Sequence, residues 1–83
     1  MEKRTVLADR LKENYERLAQ EIIVQAARDY RDALRILKND PENFLAGLEA
    51  KQVEEFFRGS FYEVLTKVPG ELLIKKLREE IGV

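Results

Sequence analysis

The chain has 83 residues, with 15 Lys+Arg against 16 Asp+Glu and no Cys, His or Trp. Without thiol or imidazole there is no disulfide framework, zinc ribbon, haem ligand or Ser-His-Asp triad, so metal, cofactor and nucleophilic catalysis lose their usual residues. One domain is the limit at this length, residues 1–83, and a chain this small buries only about 60% of its unfolded surface, so its core is thin unless a partner extends it.

The first forty residues hold neither Gly nor Pro, which predicts one long helix from Arg4 to Asn39. Leu7, Leu11, Tyr15, Leu18, Ile22, Ile23, Ala26, Ala27, Tyr30, Ala33, Leu34 and Leu37 share one side of its wheel, an amphipathic stripe sustained over ten turns. Such a helix of about 36 residues is about 54 Å long, against roughly 30 Å for a compact globule of this size. Either it breaks near Ile22–Gln25 or a second copy completes its stripe. No breaker residue marks the first choice, so the expectation is a homo-oligomer with Leu11, Tyr15, Leu18, Ile22 and Tyr30 at the interface. Gln25 and Asp29, polar residues at the edge of the stripe, are the expected register-setting pair.

Asn39-Asp40-Pro41-Glu42 reads as the end of this helix and the start of the next, with Asp40 as N-cap and Pro41 in the first helical position. The second helix then runs to Arg58. Phe44, Leu45 and Leu48 point one way from it and Val53, Phe56 and Phe57 another, so the helix either kinks at Gly47 or is covered on two sides. Gly59 fits a C′ position, and Ser60 with Glu63 suggests a capping box for a short helix over Phe61–Thr66. Pro69 restarts the chain, and Leu72, Leu73, Ile74, Leu77 and Ile81 give a last helix that stops at Gly82. The expected fold is all-α, one long helix and three shorter ones assembled as a homo-oligomeric bundle.

Three features compete for function, each with an ordinary structural reading beside it. Phe56-Phe57-Arg58-Gly59-Ser60-Phe61-Tyr62 sets a cation and a hydroxyl before a helix start, where free amides and the helix dipole favour an anion; Lys67 and a second helix start at Pro69-Gly70 follow closely. The ordinary reading makes the aromatics core, Gly59 and Ser60 caps and Arg58 a solvated charge. Arg10, Arg17, Arg31 and Lys38 form a basic line opposite the apolar stripe, densest where Arg28, Arg31 and Arg35 cluster; a solvated helix face reads the same way. Glu54-Glu55 and Glu79-Glu80 are adjacent pairs whose side chains diverge by about 100° on a helix, which does not suit a glycosidase pair. No catalytic residue, metal ligand or cofactor is therefore assigned, and no enzyme activity is expected. The Ser60–Glu80 segment has a helix-turn-helix outline, but Lys75, Lys76 and Arg78 are offset by Glu71, Glu79 and Glu80, so no nucleic-acid partner is expected. Apolar runs are too short for a membrane span, and cytoplasmic location is the default.

The stretch EEFFRGSFYEVLTKVPGELLIKKLREEI, Glu54 to Ile81, resembles the tail of small uncharacterised all-helical proteins of phages and mobile elements of Gram-positive bacteria. The shared pattern is Phe-Phe-Arg-Ser, an aromatic, Leu-Thr, Gly-Glu, Leu-Ile and Lys-Leu-Arg. This chain departs from it by Gly59 before Ser60, Phe61-Tyr62 in the aromatic place and Val68-Pro69 before Gly70. The resemblance covers about a third of the chain and implies a phage accessory protein acting in the host cytoplasm as a counter-defence factor.

Two functions follow as expectations. In the first, the oligomer sequesters an anionic nucleotide-like signal, with Arg58, Ser60, Tyr62, Lys67, Arg28, Arg31 and Arg35 as ligand-binding residues: arginines on phosphate, helix amides as fixed dipoles, an aromatic on the base. In the second, the chain is an interaction module or inhibitor that docks its helices on a host protein. An Arg-lined cavity without free apolar surface favours the first; an exposed Phe/Leu strip favours the second.

Overall fold

The computed structural model describes the backbone of residues 2–83 and the side chains of residues 8–83. Helix α1 is a single unbroken rod from Glu2 to Asn39, passing straight through Ile22–Gln25. Its 38 residues make it about 57 Å long, and the molecule measures 59 × 19 × 17 Å. Helix α2 spans Phe44–Arg58, α3 Ser60–Leu65 and α4 Gly70–Ile81, so the order and all-α class agree with the sequence reading.

The caps differ from those expected. Asn43, not Asp40, caps α2: its Oδ1 accepts the Ala46 amide at 2.9 Å, and the helix begins at Phe44. Asp40 instead opens a turn, its carbonyl accepting the Asn43 amide at 3.1 Å, with Pro41 inside that turn rather than in the helix. Gly47 causes no break, because the space around it is open and its amide bonds to the Asn43 carbonyl at 3.0 Å. Gly59 alone separates α2 from α3 and serves as cap to both, in an extended rather than left-handed conformation. With one residue between the helices there is no room for a separate N-cap, so Ser60 is the first residue of α3 and makes no cap bond. Gly82 does end α4 in the left-handed region, φ 88°, helped by Lys38 Nζ donating to the Ile81 carbonyl at 2.9 Å.

Helices α2 and α4 pack along the second half of α1, with α3 closing one end. Their shared core joins Ala27, Tyr30, Ala33 and Leu34 of α1 to Ala50 and Phe57 of α2, Tyr62 of α3, and Ile74, Leu77 and Ile81 of α4. At its centre Phe57 meets Tyr30 and Tyr62 edge to face, ring centroids 6.0 and 5.6 Å apart, the arrangement that the ring quadrupoles favour. The stripe on α1 thus divides. From about Ala19 onward the rest of the chain covers it; before that, every described residue is exposed, including Leu11 at 62%, Tyr15 at 50% and Leu18 at 56%. The side chain of Leu7 lies outside the described residues. Tyr30, expected at an oligomer interface, is 0% exposed within one chain and is corrected to the core, because α2 and α4 reach that far along α1. Among the described residues, no helix is long and apolar enough to cross a membrane.

Candidate functional site

Two surface features bring together some of the residues singled out from the sequence. The first is a cleft of about 720 Å³ where α2, α3 and the start of α4 meet. Arg58, Tyr62 and Lys67 line it together, beside Thr66 and Gly70. The chain comes so close here that a Cβ on Gly70 would sit 1.9 Å from the Phe57 carbonyl oxygen, which is why the first turn of α4 lies directly against the end of α2.

Arg58 is already engaged in this cleft. Its Nε and Nη2 donate to the two carboxylate oxygens of Glu71, and its Nη1 reaches Glu54 Oε1 at 3.4 Å. This fork holds the Glu71 carboxyl below its ordinary pKa, with Arg58 as the main cause, and raises that of Arg58 in turn. Lys67 brings a second positive charge, but Glu63 and Glu71 line the same cleft, so its charge is balanced. Tyr62 is fully buried, its hydroxyl lacks a hydrogen-bond partner, and burial pushes its pKa up. Ser60 is exposed and does not line the cleft. Helix α3, at six residues, is too short to build an appreciable dipole.

The arginines of α1 are not brought to this cleft. Arg31 Nε pairs with Glu80 of α4 at 3.0 Å, and Arg35 with Asp32 one turn away at 3.2 Å. Arg28 lies along α1 in a groove with Arg17, Gln20, Glu21, Val24 and Gln25. The expected cationic cluster is therefore divided among separate ion pairs and faces.

Sequence reading missed a half-buried polar network. Tyr30 donates its hydroxyl proton to Glu54 Oε2 at 2.5 Å, and Arg78 Nη1 donates to both Tyr30 Oη and Glu54 Oε2 at 3.3 Å. Glu54 thus ties together α1, α2 and α4, and burial followed by this carboxylate raises the Tyr30 pKa. The Tyr30 phenol is thereby held in its protonated form, donating to Glu54 between the three helices. The network's one signal in the sequence was a Tyr and an Arg on otherwise apolar or mixed helix faces.

The second feature is an apolar groove of about 480 Å³ where the bare and covered parts of α1 meet, lined by Leu18, Ile22 and Ala26 with Phe56 of α2 as its wall. Glu21, Gln25 and Asp29 form its polar rim, and Gln25 Nε2 donates to Asp29 Oδ1 at 2.9 Å. The groove continues the stripe of Leu11, Tyr15 and Leu18. Other exposed apolar side chains are Phe44, Leu45 and Leu48 of α2 and Val64 and Phe61 of α3; the Phe61 ring packs edge-on against Phe56, the centroids 6.1 Å apart. Among the described residues no group of Asp or Glu is placed to hold a metal ion. No protein-family model, curated protein or solved structure matches this chain.

Proposed function

We propose that the chain is a non-catalytic interaction protein whose working surface is the apolar stripe of α1 from Leu11 to Ile22, continued into the groove walled by Phe56. The observation that carries this reading is the bareness of Leu11, Tyr15 and Leu18, each half or more exposed on one line of one helix. Contiguous apolar surface of this kind, rimmed by polar residues, marks sites where proteins meet. The helix sets these side chains on one line, the arrangement by which an amphipathic helix docks on an apolar partner surface. A counter-defence factor that occupies a host component, as the phage resemblance implies, works through such a surface.

The test is affinity capture from bacterial lysate by the wild-type chain and by a Leu11→Glu/Leu18→Glu variant. The reading expects defined partners, other chains or untagged copies of itself, that the variant loses. Identical captures by both proteins contradict it.

A second reading, sequestration of an anionic nucleotide-like molecule, is supported by the meeting of Arg58, Tyr62 and Lys67 in one cleft beside the α4 start. Binding there requires the Arg58–Glu71 fork to open. Calorimetry with cyclic dinucleotides and ADP-ribose decides it: heat that Arg58→Ala abolishes supports it, and no heat from the folded wild type dismisses it.

A further inference from the structure

Resting on the reading of the α1 stripe as the working surface, we infer that its occupant is a second copy of this chain, paired antiparallel through the projecting half of α1. Leu11, Tyr15, Leu18, Ile22, Gln25 and Asp29 recur at alternating spacings of four and three, the seam of a two-helix coiled coil. This seam is self-complementary. A two-fold axis between Glu16 and Arg17 sets Leu11 against the second copy's Ile22 and Tyr15 against its Leu18, and the same contacts recur in reverse, as an isologous interface requires. Four apolar side chains from each copy close on one another with none left over.

Charge favours the same orientation. On one flank of the seam Glu21 comes within a turn of the second copy's Arg10, and the axis makes that pairing occur twice. A parallel, in-register pair would instead stack Gln25 on Gln25 and set two Asp29 carboxylates against each other. The groove gives the antiparallel pair its room: the segment of the second copy from Ala8 to Tyr15 runs along Leu18, Ile22 and Gln25, with Phe56 as the side wall.

The shape of the chain leaves surface free for such a pairing. The chain exposes 6592 Å², whereas a compact monomer of 9.7 kDa exposes about 5,100 Å². The surplus of about 1,500 Å² is what an elongated shape with a projecting helix adds over all its faces; a standard stable interface takes roughly 800 Å² from each partner.

The chain has no Cys, so single cysteines report the orientation directly. Leu11→Cys and Ile22→Cys are oxidised separately and as an equimolar mixture, with Ala8→Cys and Gln25→Cys as a second pair should the first disturb folding. The antiparallel pairing predicts little cross-linked dimer from any variant alone and a dominant cross-link in each mixture, between unlike positions. Efficient cross-linking of Leu11→Cys to itself means a parallel pair and overturns the proposal. Light scattering of the wild type at high micromolar concentration is the companion measurement, and a monomer of 9.7 kDa also overturns it. A monomer that still captures partners lost by Leu11→Glu/Leu18→Glu leaves the interaction surface standing and removes only the second copy; a monomer that captures nothing removes both.

Discussion

Of the four glycines, Gly70 makes the closest approach to another backbone segment. Any side chain there drives α4 away from the Phe57 carbonyl, and since both contacting atoms belong to fixed helix ends, the strain has no flexible side chain to absorb it. Gly70→Ala is expected to destabilise the fold by about 2–3 kcal/mol, read from urea denaturation; a change below about 0.5 kcal/mol, the range of an ordinary surface substitution, contradicts the account. The two buried tyrosines give a pH dependence with a defined sign. Both phenols have folded pKa values above the ordinary 10.0, Tyr30 through burial and then Glu54, Tyr62 through burial alone. Their protonated forms therefore support the fold fully below pH 10, and that support fades as pH rises through the folded values. Wild type should lose stability from about pH 10 upward, and a Tyr30→Phe/Tyr62→Phe variant should lose less over the same range; parallel profiles contradict the assignment.

At the level of single residues, the sequence placed several side chains correctly but not their partners. Arg58 is a cation at a helix junction, as its position suggested, yet Glu71 lies thirteen residues away and only the α3 turn brings the two together. Tyr62 lines a cleft but is buried in the core, because α3 is one short turn-and-a-half between Gly59 and Thr66 and its inward face has nowhere else to go. The Tyr30–Glu54–Arg78 network joins residues 24 and 48 positions apart, a separation that no local pattern encodes.

Among the elements, α1 determines the rest. The absence of Gly and Pro up to residue 40 made its continuity legible, and Gly82 and Pro69 marked α4 almost to the residue. The caps were less legible. Asp40 and Asn43 are both good N-cap residues, and only the turn at Pro41 decides between them. The helix also has two kinds of support. Residues from Ala27 to Leu34 are pinned by three partner helices, whereas those from Ala8 to Leu18 have only their own hydrogen bonds in a single chain. An unsupported helical segment of this length is marginal in water, so amides of residues 8–18 should exchange with deuterium much faster than those of 27–36 at low concentration. Protection of 8–18 should then rise as the concentration rises. Equal, concentration-independent protection along the whole of α1 contradicts this division.

The whole molecule is a three-helix head on an extended arm, 59 Å from end to end and at most 19 Å across. The mismatch between helix length and domain size was visible in the residue count alone, and from it came the expectation that a second copy covers the stripe. Where the covered part ends was not visible, because that depends on how far α2 and α4 travel back along α1. Tyr30 fell inside that limit, while Leu11, Tyr15 and Leu18 fell outside it. The central claim is that these three side chains form a seam between two copies of the chain, and sedimentation equilibrium of the wild type beside Leu11→Glu/Leu18→Glu tests it most directly. The account predicts a wild-type mass of twice 9.7 kDa and a folded, helical variant at the monomer mass; equal masses for the two proteins would contradict it.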